Sequence, residues 1–228
     1  MSKKSQRRSG ILPVPRSKKE AEHYYDRISR FYDFLSGRFE HRYAARALEL
    51  LDIQAGESVL EIGSGTGKIL KEIARKVGDE GKTCGIDISS GMLKVTRKRL
   101  AQANLTDRVA LLRGDATALP YADNSFDAVF MSFTLELFDT PEIPAVLVEI
   151  KRVLRTGGRV GIVSLSKKHG ESMMLRLYEW IHRRWPKYLD CRPIYVEDSL
   201  VEAGFTVLAH EKATLTGLPL EIVISGVT

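Results

Sequence analysis

The sequence predicts an α/β fold: a doubly wound, mostly parallel sheet that closes with an antiparallel terminal hairpin. Three observations carry this. Short apolar runs alternate with segments of helical spacing from about residue 40 to residue 203. The first of those runs, Val59-Leu60-Glu61-Ile62, opens into the glycine loop Gly63-Ser64-Gly65-Thr66-Gly67, and helical spacing resumes at Lys68. Finally, 205–213 and 219–227 read as two strands joined by Thr214-Leu215-Thr216-Gly217-Leu218.

Taken in order, residues 1–19 hold Lys3, Lys4, Arg7, Arg8, Arg16, Lys18 and Lys19 and no acid, so the net charge of +6 is a property of this tail. With Gly10, Pro13 and Pro15 and little apolar content, it is predicted to be disordered in isolation. It either lies on anionic lipid or phosphate, or is simply solvated. Glu20 to Phe34 reads as an aromatic helix or pair of helical turns, and Glu40 to Leu51 as a helix leading into the first strand. Further helices are expected at about 66–78, 90–103, 143–154, 171–184 and 196–203, with strands at 82–87, 109–116, 126–133 and after Gly158. In such a fold the ligand lies at the carboxyl ends of the strands.

The glycine loop lets the backbone turn sharply and lets a ligand lie against it without meeting a Cβ. A dinucleotide fingerprint would place its third glycine where Lys68 stands, which disfavours NAD. Asp87 ends the second strand twenty residues after Gly67, where a carboxylate can accept from both ribose hydroxyls of a nucleotide. The third strand closes on Gly114-Asp115-Ala116, and an apolar fourth runs from Phe126 to Phe133.

From Glu61 through Gly67 the chain resembles motif I (E/D-x-G-x-G-x-G) of the class I S-adenosylmethionine-dependent methyltransferases, closest to the branch of the ubiquinone/menaquinone biosynthesis and bacterial phosphatidylethanolamine methyltransferases. The resemblance spans about residues 20–228 and implies a Rossmann-like sheet of seven strands in the order 3-2-1-4-5-7-6. It implies S-adenosyl-L-methionine as cofactor, no metal, and one methyltransferase domain over 20–228 with a helical lid (20–51) and a cap (168–195). It places Glu61, Gly63, Gly65, Thr66 and Gly67 at the methionine side, Asp87 and Ile88 at the ribose, Asp115 and Ala116 at the adenine, and Ser132 and Phe133 at strand four. Tyr25-Asp26-x-x-Ser29-x-x-Tyr32-Asp33 resembles the Y-D-x-x-A-x-x-Y-D element of the quinone branch, which implies that Tyr24, Tyr25 and Tyr32 close on the cofactor; an aromatic stripe at this spacing is also ordinary packing. Two departures stand out. Thr156 replaces the usual proline before Gly157-Gly158, and Phe133-Thr134-Leu135-Glu136 replaces the Phe-Gly-Leu-Arg-Asn of the quinone enzymes.

Candidate acceptor groups follow from these departures. Glu136 is either the carboxylate that attracts an amine acceptor or takes its proton, or a surface charge starting a helix. In the cap, Met173, Met174, Leu177, Trp180, Ile181 and Trp185 alternate with Arg176, His182, Arg183, Arg184 and Lys187, a basic amphipathic helix that either meets a lipid-like acceptor or packs with a solvated basic side. Trp180, Tyr188 and Arg192 are the acceptor candidates there; Arg192 otherwise pairs with Asp190 or Glu197. Cys84 and Cys191 lack metal or disulfide spacing, and Cys84 reads as a small buried apolar residue. No apolar run reaches about 18 residues, and a core without net positive charge argues against sequence-specific nucleic acid. The expected protein is a cytoplasmic, optionally membrane-peripheral enzyme methylating a small or lipid acceptor, such as a lipid head-group amine or isoprenoid quinone. The alternative is a non-catalytic cofactor-binding module docking to a membrane or nucleoprotein.

Overall fold

The computed structural model describes residues 11–14, 16–29, 32, 37–168, 173–184 and 191–227. Its centre is a seven-stranded sheet in the order β3-β2-β1-β4-β5-β7-β6, as the resemblance implies. The strands are β1 (Ser58–Ile62), β2 (Lys82–Asp87), β3 (Val109–Arg113), β4 (Phe126–Ser132), β5 (Leu154–Leu165), β6 (Thr206–Leu215) and β7 (Leu218–Gly226). Strands β1 to β5 pair in parallel, whereas β7 pairs antiparallel with both β5 and β6. The described helices are α1 (Lys18–Ile28), α2 (Gly37–Leu51), α3 (Lys68–Val77), α4 (Ser90–Gln102), α5 (Ile143–Val153), α6 (Met173–Arg184) and α7 (Val196–Glu202).

Every residue of β1 is buried, because helices cover both faces of a parallel sheet. Alternation along the strands divides the core. Leu60, Ile62, Val129, Met131, Val160 and Ile162 pack with α5 and α7. Val59, Ala128, Phe130 and Val163 face Ala47, Leu48 and Leu51 of α2 and Ile73 of α3. Strand β5 begins at Leu154, ahead of the start expected after Gly158, so Thr156 lies in an irregular stretch inside it: Gly157 takes φ +76° there, its N–H donates to Val227 O at 3.0 Å, and the β4 register jumps from Phe126↔Leu154 to Ala128↔Arg159.

The tail boundary at residue 19 is corrected by the structure. Ser17 caps α1 in a reciprocal capping box with Glu20, so the helix starts at Lys18. Upstream of it, Ile11 packs against the core and Arg16 stacks over the Tyr24 ring at 3.7 Å. Residues 1–10 lie outside the described residues. Cys84 is only half-buried, since β2 lies one strand in from the β3 edge.

Candidate functional site

At the carboxyl ends of β1, β2, β3 and β4 the loops enclose a cavity of about 610 Å³, within the range of small-molecule sites. Its floor is the glycine loop. Gly63 and Ser64 donate their N–H groups to Ile86 O of β2 at 2.8 and 3.2 Å, and Thr96 Oγ1 of α4 donates to Gly65 O at 2.7 Å. A Cβ on Gly63 would lie 2.3 Å from Thr134 Oγ1, so only glycine fits between the loop and the chain leaving β4. A Cβ on Gly65 would meet nothing nearer than Gly63 O at 3.9 Å, which leaves that point of the cavity clear for a ligand.

Asp87 is fixed from both sides. Its Oδ2 accepts from Gly65 N–H at 2.8 Å and its Oδ1 from Ser89 N–H at 2.9 Å. Its carboxylate keeps acceptor capacity for a ligand donor, such as a hydroxyl. Burial outweighs these hydrogen bonds and raises the Asp87 pKa to about 6. Glu61 is 3% exposed yet lines the cavity, its Oε2 has no hydrogen-bond partner among the described residues, and burial pushes its pKa well up. A buried carboxyl oxygen without a donor is costly, and a cationic or N–H-bearing ligand end relieves that cost. The residues present therefore fit S-adenosylmethionine, with a diol acceptor at Asp87 and an unsatisfied acceptor at Glu61.

The charge on Asp87 sets an expected pH response. An acid raised to about 6 is mostly ionised only above that pH, so a ligand diol seated on Asp87 would lose its charged acceptor as pH falls through 6. Cofactor affinity should be about tenfold lower at pH 5 than at pH 7. Titration calorimetry across this range checks it; a flat profile in wild type, or the same break in Asp87→Asn, rules the assignment out.

The cavity roof comes from the N-terminal segment, with Ser17, Lys18, Ala21, Tyr25 and Tyr32 all in its lining. Asp26 supplies the docking point for α1: it accepts from Ser89 Oγ at 2.6 Å, Ser90 Oγ at 3.2 Å and Gly91 N–H at 2.7 Å, at the start of α4. A carboxylate on those free N-terminal groups is favourable, and these bonds lower the Asp26 pKa against the opposing effect of burial. The Tyr-Asp pair thus divides its labour between the cavity and the latch. The Tyr25 and Tyr32 rings meet edge to face at 6.2 Å.

Of the residues expected at the cofactor, Glu61, Gly63, Gly65, Thr66, Asp87, Ile88, Asp115, Ala116, Ser132, Phe133, Tyr25 and Tyr32 line the cavity. Gly67 and Tyr24 do not. Gly67 sits against Thr96, where a Cβ would be 2.5 Å from Cγ2, and Tyr24 lies beneath Arg16.

The acceptor candidates fare differently. Glu136 is fully buried in a short 3₁₀ turn, Leu135–Leu137, with Oε1 accepting from Leu165 N–H at 3.4 Å. It is therefore neither a surface charge nor part of the cavity wall; Leu137 and Phe138 are the residues turned to the cavity. Burial raises the Glu136 pKa to about 7. Arg192 is also fully buried and away from the wall, donating to Leu12 O and Thr140 Oγ1 at 2.8 Å each and to Phe138 O. Glu197 bonds Lys168 instead. Trp180 is 53% exposed on the outer side of α6, and Tyr188 lies outside the described residues. Sequence reasoning also missed Lys18, whose Nζ bonds Asp115 Oδ2 at 2.6 Å and Glu142 Oε1 at 2.7 Å. The capping box at Ser17 was the available signal that a helix begins there.

Comparison with known proteins agrees with this geometry. Residues 59–158 match a family model described as a methyltransferase domain. The ubiquinone/menaquinone biosynthesis C-methyltransferase of Hahella chejuensis is 35% identical over 164 residues, covering 69% of this chain and 65% of that protein. The enzyme of the same name from Pseudomonas fluorescens is 34% identical over 176 residues, covering 75% and 68%. The chain thus covers just under two thirds of the Hahella protein's length. Among solved structures, the [4+2]-cyclase SpnF matches with a TM-score of 0.75 at 20% identity over 96% of this chain and 98% of its own, a likeness of fold. With more than two thirds of the Pseudomonas relative covered at this identity, the chain belongs to the class I S-adenosylmethionine-dependent methyltransferases, in their ubiquinone/menaquinone branch.

Proposed function

We propose that the chain transfers a methyl group from S-adenosylmethionine to a small hydrophobic or amphipathic acceptor, of the lipid head-group amine or isoprenoid quinone type. One observation carries this reading: a single cavity joins the glycine loop and Asp87 to a second wall made of Tyr25, Tyr32, Ala44, Phe133, Leu137 and Phe138. Such a wall suits an apolar acceptor beside the cofactor.

When bound, S-adenosylmethionine supplies a methyl group on a positively charged sulfur. In the proposed arrangement Asp87 and Ile88 hold the ribose, Asp115 and Ala116 the adenine, and Glu61 with residues 63–66 the methionine end. Ser132 and Phe133 border the reacting face. The Tyr25 and Tyr32 rings keep water out, and burial holds both their pKa values well above the ordinary tyrosine value, so they stay neutral. Alignment and water exclusion are the main tasks in such a displacement. Release of S-adenosylhomocysteine on addition of a fractionated lipid extract tests the reading. No release above the acceptor-free rate with any fraction, from protein that binds the cofactor, overturns it.

The acceptor class also predicts where the protein works. No described helix is long and apolar enough to cross a membrane. The outer side of α6 carries Met174 at 45%, Leu177 at 46% and Trp180 at 53% exposure, with Arg176 and Arg184 exposed on the same helix. We expect this face and the basic residues of 1–10 to bring the protein to anionic membrane, at about 1 kcal/mol per basic residue near the surface and less at high salt. In vesicle sedimentation, deletion of 1–10 or Trp180→Ser should each reduce binding to anionic vesicles. Equal partitioning onto neutral vesicles would leave a soluble acceptor.

A further inference from the structure

The Asp115 carboxylate is held by Lys18 and by the backbone and side chain of Thr117. Oδ1 accepts from Thr117 N–H at 3.0 Å, and Oδ2 from Lys18 Nζ at 2.6 Å. The same ammonium reaches Thr117 Oγ1 at 3.2 Å and Glu142 Oε1 at 2.7 Å. Three acceptors match its three N–H donors, so Lys18 is held as a tripod between α1, the end of β3 and the start of α5. All three partners of the contact, Lys18, Asp115 and Glu142, line the cavity. With the Thr117 hydroxyl also bonded to it, the Asp115 carboxylate keeps acceptor capacity for a ligand donor.

From this geometry we propose that Lys18 is a positioning residue for base recognition: it fixes the Asp115 carboxylate toward the base-binding wall, so that the site favours a base bearing an exocyclic amine over one bearing a carbonyl. The proposal rests on the adenine reading of Asp115. An amine donates to a fixed carboxylate, whereas a carbonyl oxygen at the same place faces it with like negative character. Burial alone would raise the Asp115 pKa, but the bonds from Lys18 and Thr117 outweigh it and hold the pKa below the ordinary aspartate value. The contact is not chiefly a source of stability. The Lys18, Asp115 and Glu142 side chains are 40%, 33% and 34% exposed, and ion pairs that open to water contribute little to folding. Its effect is on rotamer and charge at the ligand, which a fold-stability measurement does not register.

The test compares two ligands that differ only at the base: S-adenosylhomocysteine and S-inosylhomocysteine, titrated by calorimetry into wild type, Lys18→Met, Lys18→Arg and Asp115→Asn. Wild type should prefer the adenosyl ligand. Lys18→Met should keep a near wild-type melting temperature and lose most of that preference, about tenfold, chiefly through weaker adenosyl binding. Lys18→Arg should retain much of it, because the positive charge and N–H donors remain. A Lys18→Met protein with the wild-type preference overturns the proposal, provided that Asp115→Asn has lost it. Tighter adenosyl binding in Lys18→Met overturns it as well, since the ammonium would then compete with the base. Should Asp115→Asn keep the full preference, the adenine reading of Asp115 falls first and takes the proposal with it.

Discussion

Replacing Gly65 by valine is expected to abolish cofactor binding in a chain that still folds. Gly65 sits at φ +51°, a region that costs a β-branched residue of the order of 1–3 kcal/mol, and its Cβ would project into the open cavity. Its N–H also donates to Asp87 Oδ2 at 2.8 Å, so any shift of the loop loosens Asp87. Strain, occupied volume and a misplaced carboxylate act together, and the affinity should drop by more than about 100-fold, ~3 kcal/mol. The sheet below does not depend on this side chain, since nothing packs within 3.9 Å of the added Cβ. Calorimetric titration with S-adenosylmethionine, alongside a melting curve, decides it. Affinity within tenfold of wild type would mean that the ligand does not pass this point of the loop.

Arg192→Met should have the largest effect on stability. Its guanidinium is fully buried, yet ties its own segment to two others, through Leu12 O on one and Phe138 O and Thr140 Oγ1 on the other. Methionine fills part of the volume but leaves those oxygens without a donor. Bonds from a charged donor contribute ~1.5–3 kcal/mol each, and relief of the buried charge offsets part of the sum, giving a net loss of about 3 kcal/mol. For a chain of this size that is roughly 6–12 °C in melting temperature. Because Phe138 belongs to the acceptor wall and Leu12 leads into the roof, acceptor turnover should fall further than cofactor affinity. A variant as stable as wild type would show that the three bonds only balance the cost of burying the charge.

The sequence by itself determined the sheet and most of the residues that the glycine-loop side of the cavity brings together. Each strand is a short apolar run, and period and turn chemistry are local properties that a linear reading can see. The place of Asp87 at the cavity was legible for the same reason, because the spacing from Gly67 to Asp87 is set by one helix and one crossover. The sheet order could not be read from periodicity and came through family resemblance.

Tertiary structure alone decided the acceptor half. Glu136 and Arg192 are charged residues in loop-like sequence, which predicts exposure or a place in the cavity, but both are buried against segments distant in the chain: Glu136 against β5, and Arg192 against Leu12 and the chain after β4. The face of α6 was undetermined as well. His182 is 3% exposed while Trp180 is 53% exposed, an inversion of what hydropathy suggests that depends on how the helix is rotated against β7 and Cys191. The tail misread has the same origin. Lys18 counts as a solvated basic residue until Asp115 and Glu142, both far along the chain, are folded against it. Contacts between residues so far apart are fixed by the packing of whole elements, and no local pattern encodes them.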